Sequence, residues 1–165
     1  MPVRPILQWP DQRLRTAASP VQAITDDIRG IWDDMVATMD AMPGQGVGLA
    51  ANQIGVLHAL AVVDITPDRS RRILLANPSV LDQADELHSS EEASPCLPGV
   101  SAKIKRPARV TIRYLNDQGT VDRRDFQGLE ARSILHQIDH LAGRMYFDNL
   151  SKVKRDMLLR KASKR

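Results

Sequence analysis

The segment from about Leu129 to Leu141 constrains this chain more than any other. Ile134, Leu135, Ile138 and Leu141 recur at three- and four-residue steps, and Gly143 supplies a stop. That pattern predicts a helix with one apolar stripe, which the rest of the chain must cover. The same segment carries His136 and His140, four residues apart and therefore on one face. Whatever fold forms must bury the stripe and leave room beside the two imidazoles.

The remaining segments supply the cover. Thr25 or Asp26 can cap a first helix, in which Ile28, Ile31, Trp32, Met35, Val36 and Met39 form the apolar face and which ends near Asp40. Pro43-Gly44 breaks it. Strands are expected at Ala59–Asp64, Arg72–Ala76, Arg109–Leu115 and Thr120–Phe126, the last two joined by the turn Asn116-Asp117-Gln118-Gly119. Asn77-Pro78 reads as a turn, Gln83 to Glu92 as a loop or irregular strand, and Pro95-Cys96-Leu97-Pro98-Gly99 as a stiff loop. Residues 1–20 read as an extended arm punctuated by prolines, and Lys152 to about Lys161 as a third helix. Strands joined by hairpin turns, with only two internal helices, make the expected class α+β in a single domain spanning 1–165.

Composition narrows the setting. A lone cysteine excludes an internal disulfide and fits a reducing compartment. Residues 1–11 lack the basic and apolar regions of a signal peptide, and no stretch approaches the roughly 20 apolar residues of a membrane span. A cytoplasmic protein with no membrane partner is expected. Charge is uneven. From Ser151 onward seven basic residues face the single acid Asp156, a net +6, and the chain's total of +3 leaves −3 for the rest. Such a tail can attract RNA or another polyanion, or can be an ordinary solvated terminal helix.

Two histidines at this spacing can bring ring nitrogens to one metal ion at about 2.0–2.1 Å, or can be unrelated surface or capped residues. Cys96, on its Pro/Gly-bounded loop, has three readings: a small buried hydrophobe, a nucleophile paired with histidine, or a thiolate ligand. With two imidazoles, the last would leave a fourth coordination position open, the catalytic pattern of metal sites. Gly46 and Gly48 suit an ordinary turn.

Three short motifs stand in order along the chain: Gly46-Val47-Gly48-Leu49-Ala50-Ala51-Asn52-Gln53, then Pro95-Cys96-Leu97, then His136-Gln137-Ile138-Asp139-His140-Leu141. In order and spacing they resemble the motifs of the peptide deformylase family, and the resemblance runs from Pro10-Asp11-Gln12-Arg13-Leu14-Arg15 to Leu150-Ser151. It implies antiparallel sheets packed around a central metal-binding helix, with a C-terminal helix. It implies one divalent ion on Cys96, His136 and His140, Fe²⁺ in the cell, with Zn²⁺, Ni²⁺ or Co²⁺ as alternatives. It implies removal of the formyl group from N-terminal formyl-methionine of nascent peptides. Gln53 and the Leu97 N–H would donate to the attacked oxygen, where charge develops. Gly46, Val47 and Gly48 would line the substrate's path, and the basic residues 151–165 would contact the ribosome.

The chain departs from that family at the chemistry. Gln137 stands where the family has a glutamate that moves the proton, and an amide cannot accept and return one. The family's Glu-Gly-Cys-Leu-Ser reads here Ser94-Pro95-Cys96-Leu97-Pro98, with Glu91 and Glu92 upstream and out of register. Deformylase activity is therefore expected to be weak or lost. The alternatives are an amidase of different specificity, a non-catalytic protein that binds Met-like N-termini, and a metal-free cysteine nucleophile.

Overall fold

A computed structural model describes residues 2–164. The first helix, α1 (Asp26–Asp40), begins where the Thr25 hydroxyl accepts the Ile28 N–H, and Asp26 and Asp27 complement the positive end of its dipole. The central helix, α2 (Gly128–Leu141), follows directly from a strand, and α3 (Lys152–Ser163) starts at the Ser151 cap.

Five strands form one antiparallel sheet: β1 (Gly48–Ala50), β2 (Leu60–Val63), β3 (Ile73–Gln83), β6 (Arg109–Leu115) and β7 (Val121–Gln127), in that spatial order. Two more, β4 (Leu87–Glu92) and β5 (Ala102–Pro107), pair separately.

The apolar patterns explain the layering. Every residue of β2 is buried, because both faces of this part of the sheet are covered. Leu60 and Val62 join the cluster of Ile28, Trp32, Met35 and Met39 from α1. Ala61 and Val63 join Ala131, Ile134, Leu135 and Leu141 from α2. A third cluster holds Leu14, Cys96, Leu97, Ile104, Met145, Tyr146, Phe147 and Leu158, so the N-terminal arm, the cysteine loop and α3 close over the end of α2.

Four local expectations are corrected. The arm is not extended throughout, since Gln12–Arg15 form one 3-10 turn. Asn77-Pro78 does not end its strand. β3 continues through a register shift, with Asn77 at φ 51° and its amide bonded to both the N–H and the C=O of Val21. Residues 87–92 form a regular strand rather than a loop or an irregular one, because β5 supplies a partner over six residue pairs. The strand Ala102–Pro107 carried no recognisable signal, because Ile104 is the one large apolar residue on its buried face and Arg106 holds the next inward position.

Candidate active site

A cleft of about 270 Å³ opens between the free edge of β1, the end of β4 and one face of α2. Gly46, Val47, Gly48 and Gln53 line one wall, Glu91, Glu92, Ala93 and Pro95 another, and Leu129, Arg132, Ser133, His136 and Gln137 the floor. Residues from two of the three sequence motifs thus meet in one concavity, with Pro95 bringing the third to its edge.

Gly48 decides how closely the walls approach. It shares a sheet face with Ala50, toward α2. A Cβ there would lie 2.5 Å from both Gln137 Nε2 and Ser133 Oγ. The absent side chain is what lets β1 lie against the helix. Ser133 Oγ donates to the Val47 carbonyl at 3.1 Å, fastening that edge.

His136 and His140 lie together, ring centroids 5.0 Å apart. His140 is fully buried, and neither of its ring nitrogens has a hydrogen-bond partner. Burial, and then the charges of His136 and Arg106, push its pKa well below 6.5, so the ring is neutral. His136 Nδ1 is held by Glu92 Oε1 at 2.8 Å, which leaves Nε2 for another partner, and the ring stacks on Tyr146. Gln137, 4% exposed, sits between them in sequence with its Oε1 unpartnered.

Glu92 is the site residue that sequence reasoning set aside as out of register. β4 and β5 bring it inward beside Arg106, which it binds at 2.6 and 2.8 Å, and Arg132 reaches the same carboxylate at 2.6 Å. Burial alone would raise its pKa. The hydrogen bonds and charges of Arg106 and His136 outweigh that and hold it down to about 2. No local signal marks it, because Arg106 reads as a surface charge until β5 turns it to the core.

Cys96 is buried, and burial raises its thiol pKa against the opposing hydrogen bonds of Gln53 and Ser94. Its Sγ accepts from Gln53 Nε2 at 3.4 Å, while Gln53 Oε1 accepts the Ala50 N–H at 2.9 Å. Among the described residues no hydrogen bond joins the thiol to either histidine, so nothing in the geometry supplies a base for a cysteine nucleophile. The N–H of Leu97, expected to face substrate, donates instead to the Ser94 carbonyl at 3.1 Å.

The two imidazoles are suitable donors for a borderline divalent ion: His136 keeps Nε2 free, and the orphaned nitrogens of His140 are the buried atoms such an ion would satisfy. The third donor is not gathered with them: among the described residues no group of three or more His, Cys, Asp and Glu is arranged to hold a metal.

The fold and its site define a class, the α+β proteins that present a histidine pair on a central helix at the foot of a cleft. The polypeptide deformylase family model matches residues 3–156. The peptide deformylase of Rhizobium meliloti (strain 1021) is 38% identical over 99% of this chain and 94% of its own length. Among solved structures, a peptide deformylase from Legionella pneumophila superposes with a TM-score of 0.91 at 36% identity, covering 99% of this chain and 95% of that one. One from Ehrlichia chaffeensis in complex with actinonin gives 0.91 at 34%, covering 99% and 98%. This chain belongs to the polypeptide deformylase family, whose members are hydrolases that process peptide N-termini.

Proposed function

We propose that this chain binds an N-terminal formyl-methionyl peptide in the cleft and removes its formyl group at a strongly reduced rate, in the cytoplasm. A divalent ion, Fe²⁺ in the cell and replaceable by Zn²⁺, Ni²⁺ or Co²⁺, would be held by His136 and His140, with Cys96 as the third donor that the chain offers. When bound, it polarises the formyl carbonyl and makes water more acidic. The chain's own residues do the rest. Glu92 fixes His136 with its Nδ1 engaged, so Nε2 is the nitrogen that would be left for an ion. Gly48 and Gly46 open the edge along which a peptide main chain lies. Gln53 and the Leu97 N–H are the donors that the carbonyl oxygen would take, and each is engaged within the protein before substrate arrives.

The observation that carries the reduced rate is Gln137, buried against the cleft between the two histidines in sequence. Its unpartnered Oε1 can hold a water by a hydrogen bond. It cannot take the water's proton and hand it to the leaving amine. A positioned acid–base group contributes about 10²- to 10⁴-fold, or roughly 3–5 kcal/mol of barrier.

The test is formate release from a formyl-Met peptide by protein loaded with Fe²⁺ or Ni²⁺, its metal content measured beside it. Gln137→Glu is expected to raise the rate by about 10²-fold or more. A wild-type rate equal to that of Gln137→Glu would overturn the assignment. A non-catalytic binder is the second reading, favoured by the internal engagement of Leu97 and Gln53. The Ehrlichia chaffeensis relative binds actinonin. Tight actinonin binding here, with no formate release even from Gln137→Glu, would select that second reading.

A further inference from the structure

Ser94-Pro95-Cys96-Leu97 forms a β-turn. The Ser94 carbonyl accepts the Leu97 N–H at 3.1 Å, three residues on, and Pro95 occupies the second position, where its fixed φ suits the turn. The Ser94 hydroxyl accepts the Cys96 N–H at 3.2 Å, a second tie inside the same four residues. The arm then braces the turn from outside: Trp9 N–H donates to the Cys96 carbonyl at 2.8 Å, and Gln8 Nε2 to the Pro95 carbonyl at 3.0 Å. Pro98 contributes no N–H of its own. Gln53 is committed too, its amide nitrogen to Cys96 and its oxygen to Ala50.

We infer that Ser94 and Pro95 are positioning residues that withhold the Leu97 N–H from the substrate's carbonyl oxygen, a second cause of slow turnover independent of Gln137. This rests on the reading of Leu97 as an oxyanion donor given above. A donor already bonded to a neighbouring carbonyl must break that bond before it can stabilise developing charge, and Pro95 keeps the turn closed. Restoring the acid–base group alone therefore leaves the site incomplete.

The experiment has two arms. In the first, hydrogen exchange of the Leu97 amide is followed by NMR in the wild-type protein and in Pro95→Gly. Protection in the wild type that falls at least about tenfold in Pro95→Gly is expected, since opening the turn frees the amide to solvent. An unprotected wild-type amide overturns the inference. In the second, kcat and KM for a formyl-Met peptide are compared between Gln137→Glu and Gln137→Glu/Pro95→Gly, both metal-loaded. Loss of one oxyanion donor costs about 10²- to 10³-fold in kcat, so a partial recovery of about tenfold or more in kcat is expected, with KM little changed. Equal kcat overturns it. If Gln137→Glu releases no formate at all, the proposed function falls, and the exchange arm alone decides whether the turn holds the amide.

Discussion

At the scale of single residues, the cleft is organised by contacts that its lining groups make within the protein. Glu92 is the clearest. Its carboxylate is shared by Arg106, Arg132 and His136, all largely buried. Removing one partner of such a cluster leaves the others uncompensated in a medium that solvates them poorly. Glu92→Gln is expected to cost about 3 kcal/mol of stability, read by urea denaturation, and to reduce metal content by freeing the His136 ring. Unchanged stability together with unchanged metal content would remove Glu92 from this role. Gly48 acts in the opposite way, through what it lacks. Its motif was legible in the sequence, but which atoms its missing Cβ makes way for was not, because β1 and α2 are about 80 residues apart.

At the scale of elements, the fold depends on ties that join distant segments. The 3-10 turn Tyr146–Asn149 is held by Asp148, whose Oδ2 accepts the Met145 N–H at 2.8 Å and whose carboxylate pairs with Arg15 of the N-terminal arm. Burial alone would raise the Asp148 pKa. The hydrogen bonds from Arg15 and Met145, with the charges of Arg15 and Arg144, hold it below its usual 3.8. A depressed pKa means that the tie contributes fully above 3.8 and is lost as pH falls through the folded value. Asp148→Asn is expected to lower Tm at neutral pH, with the difference shrinking as pH drops below 3.8. A difference that stays constant down to pH ~2 would show that the charge is not what matters. The helices were readable because their apolar stripes repeat within a dozen residues. β4 and β5 were not, because the inward face of β5 carries Arg106, and only its distant partners Glu92 and Asp139 make burial of that residue tolerable.

At the scale of the whole molecule, charge is segregated. Helix α3 rests on the third cluster through Leu158 and leaves Lys152, Lys154, Arg160 and Lys161 exposed. A surface of this kind binds polyanions by releasing counterions, with an affinity that falls as salt rises. We propose the ribosome as its partner. Replacing those four residues with Gln is expected to weaken co-sedimentation with ribosomes. The slope of log affinity against log salt should fall by about 1 for each residue that contacts a phosphate. Formate release should not change, since none of the four lines the cleft. Identical pelleting of both proteins would dismiss the contact.

The linear order of residues was enough to determine the helices, the α+β class, the motifs and the neutral amide at Gln137, because each is written in local spacing or in a single side chain's chemistry. Only the tertiary structure decided that Glu92 reaches His136, that Gly48 makes room for Gln137, and that the Ser94 carbonyl occupies the Leu97 N–H. Two of these contacts join segments more than 40 residues apart, and the third turns on backbone geometry that a proline permits but does not by itself dictate. A hydrogen bond needs its partners within about 3 Å, and no local pattern specifies which distant group will arrive there.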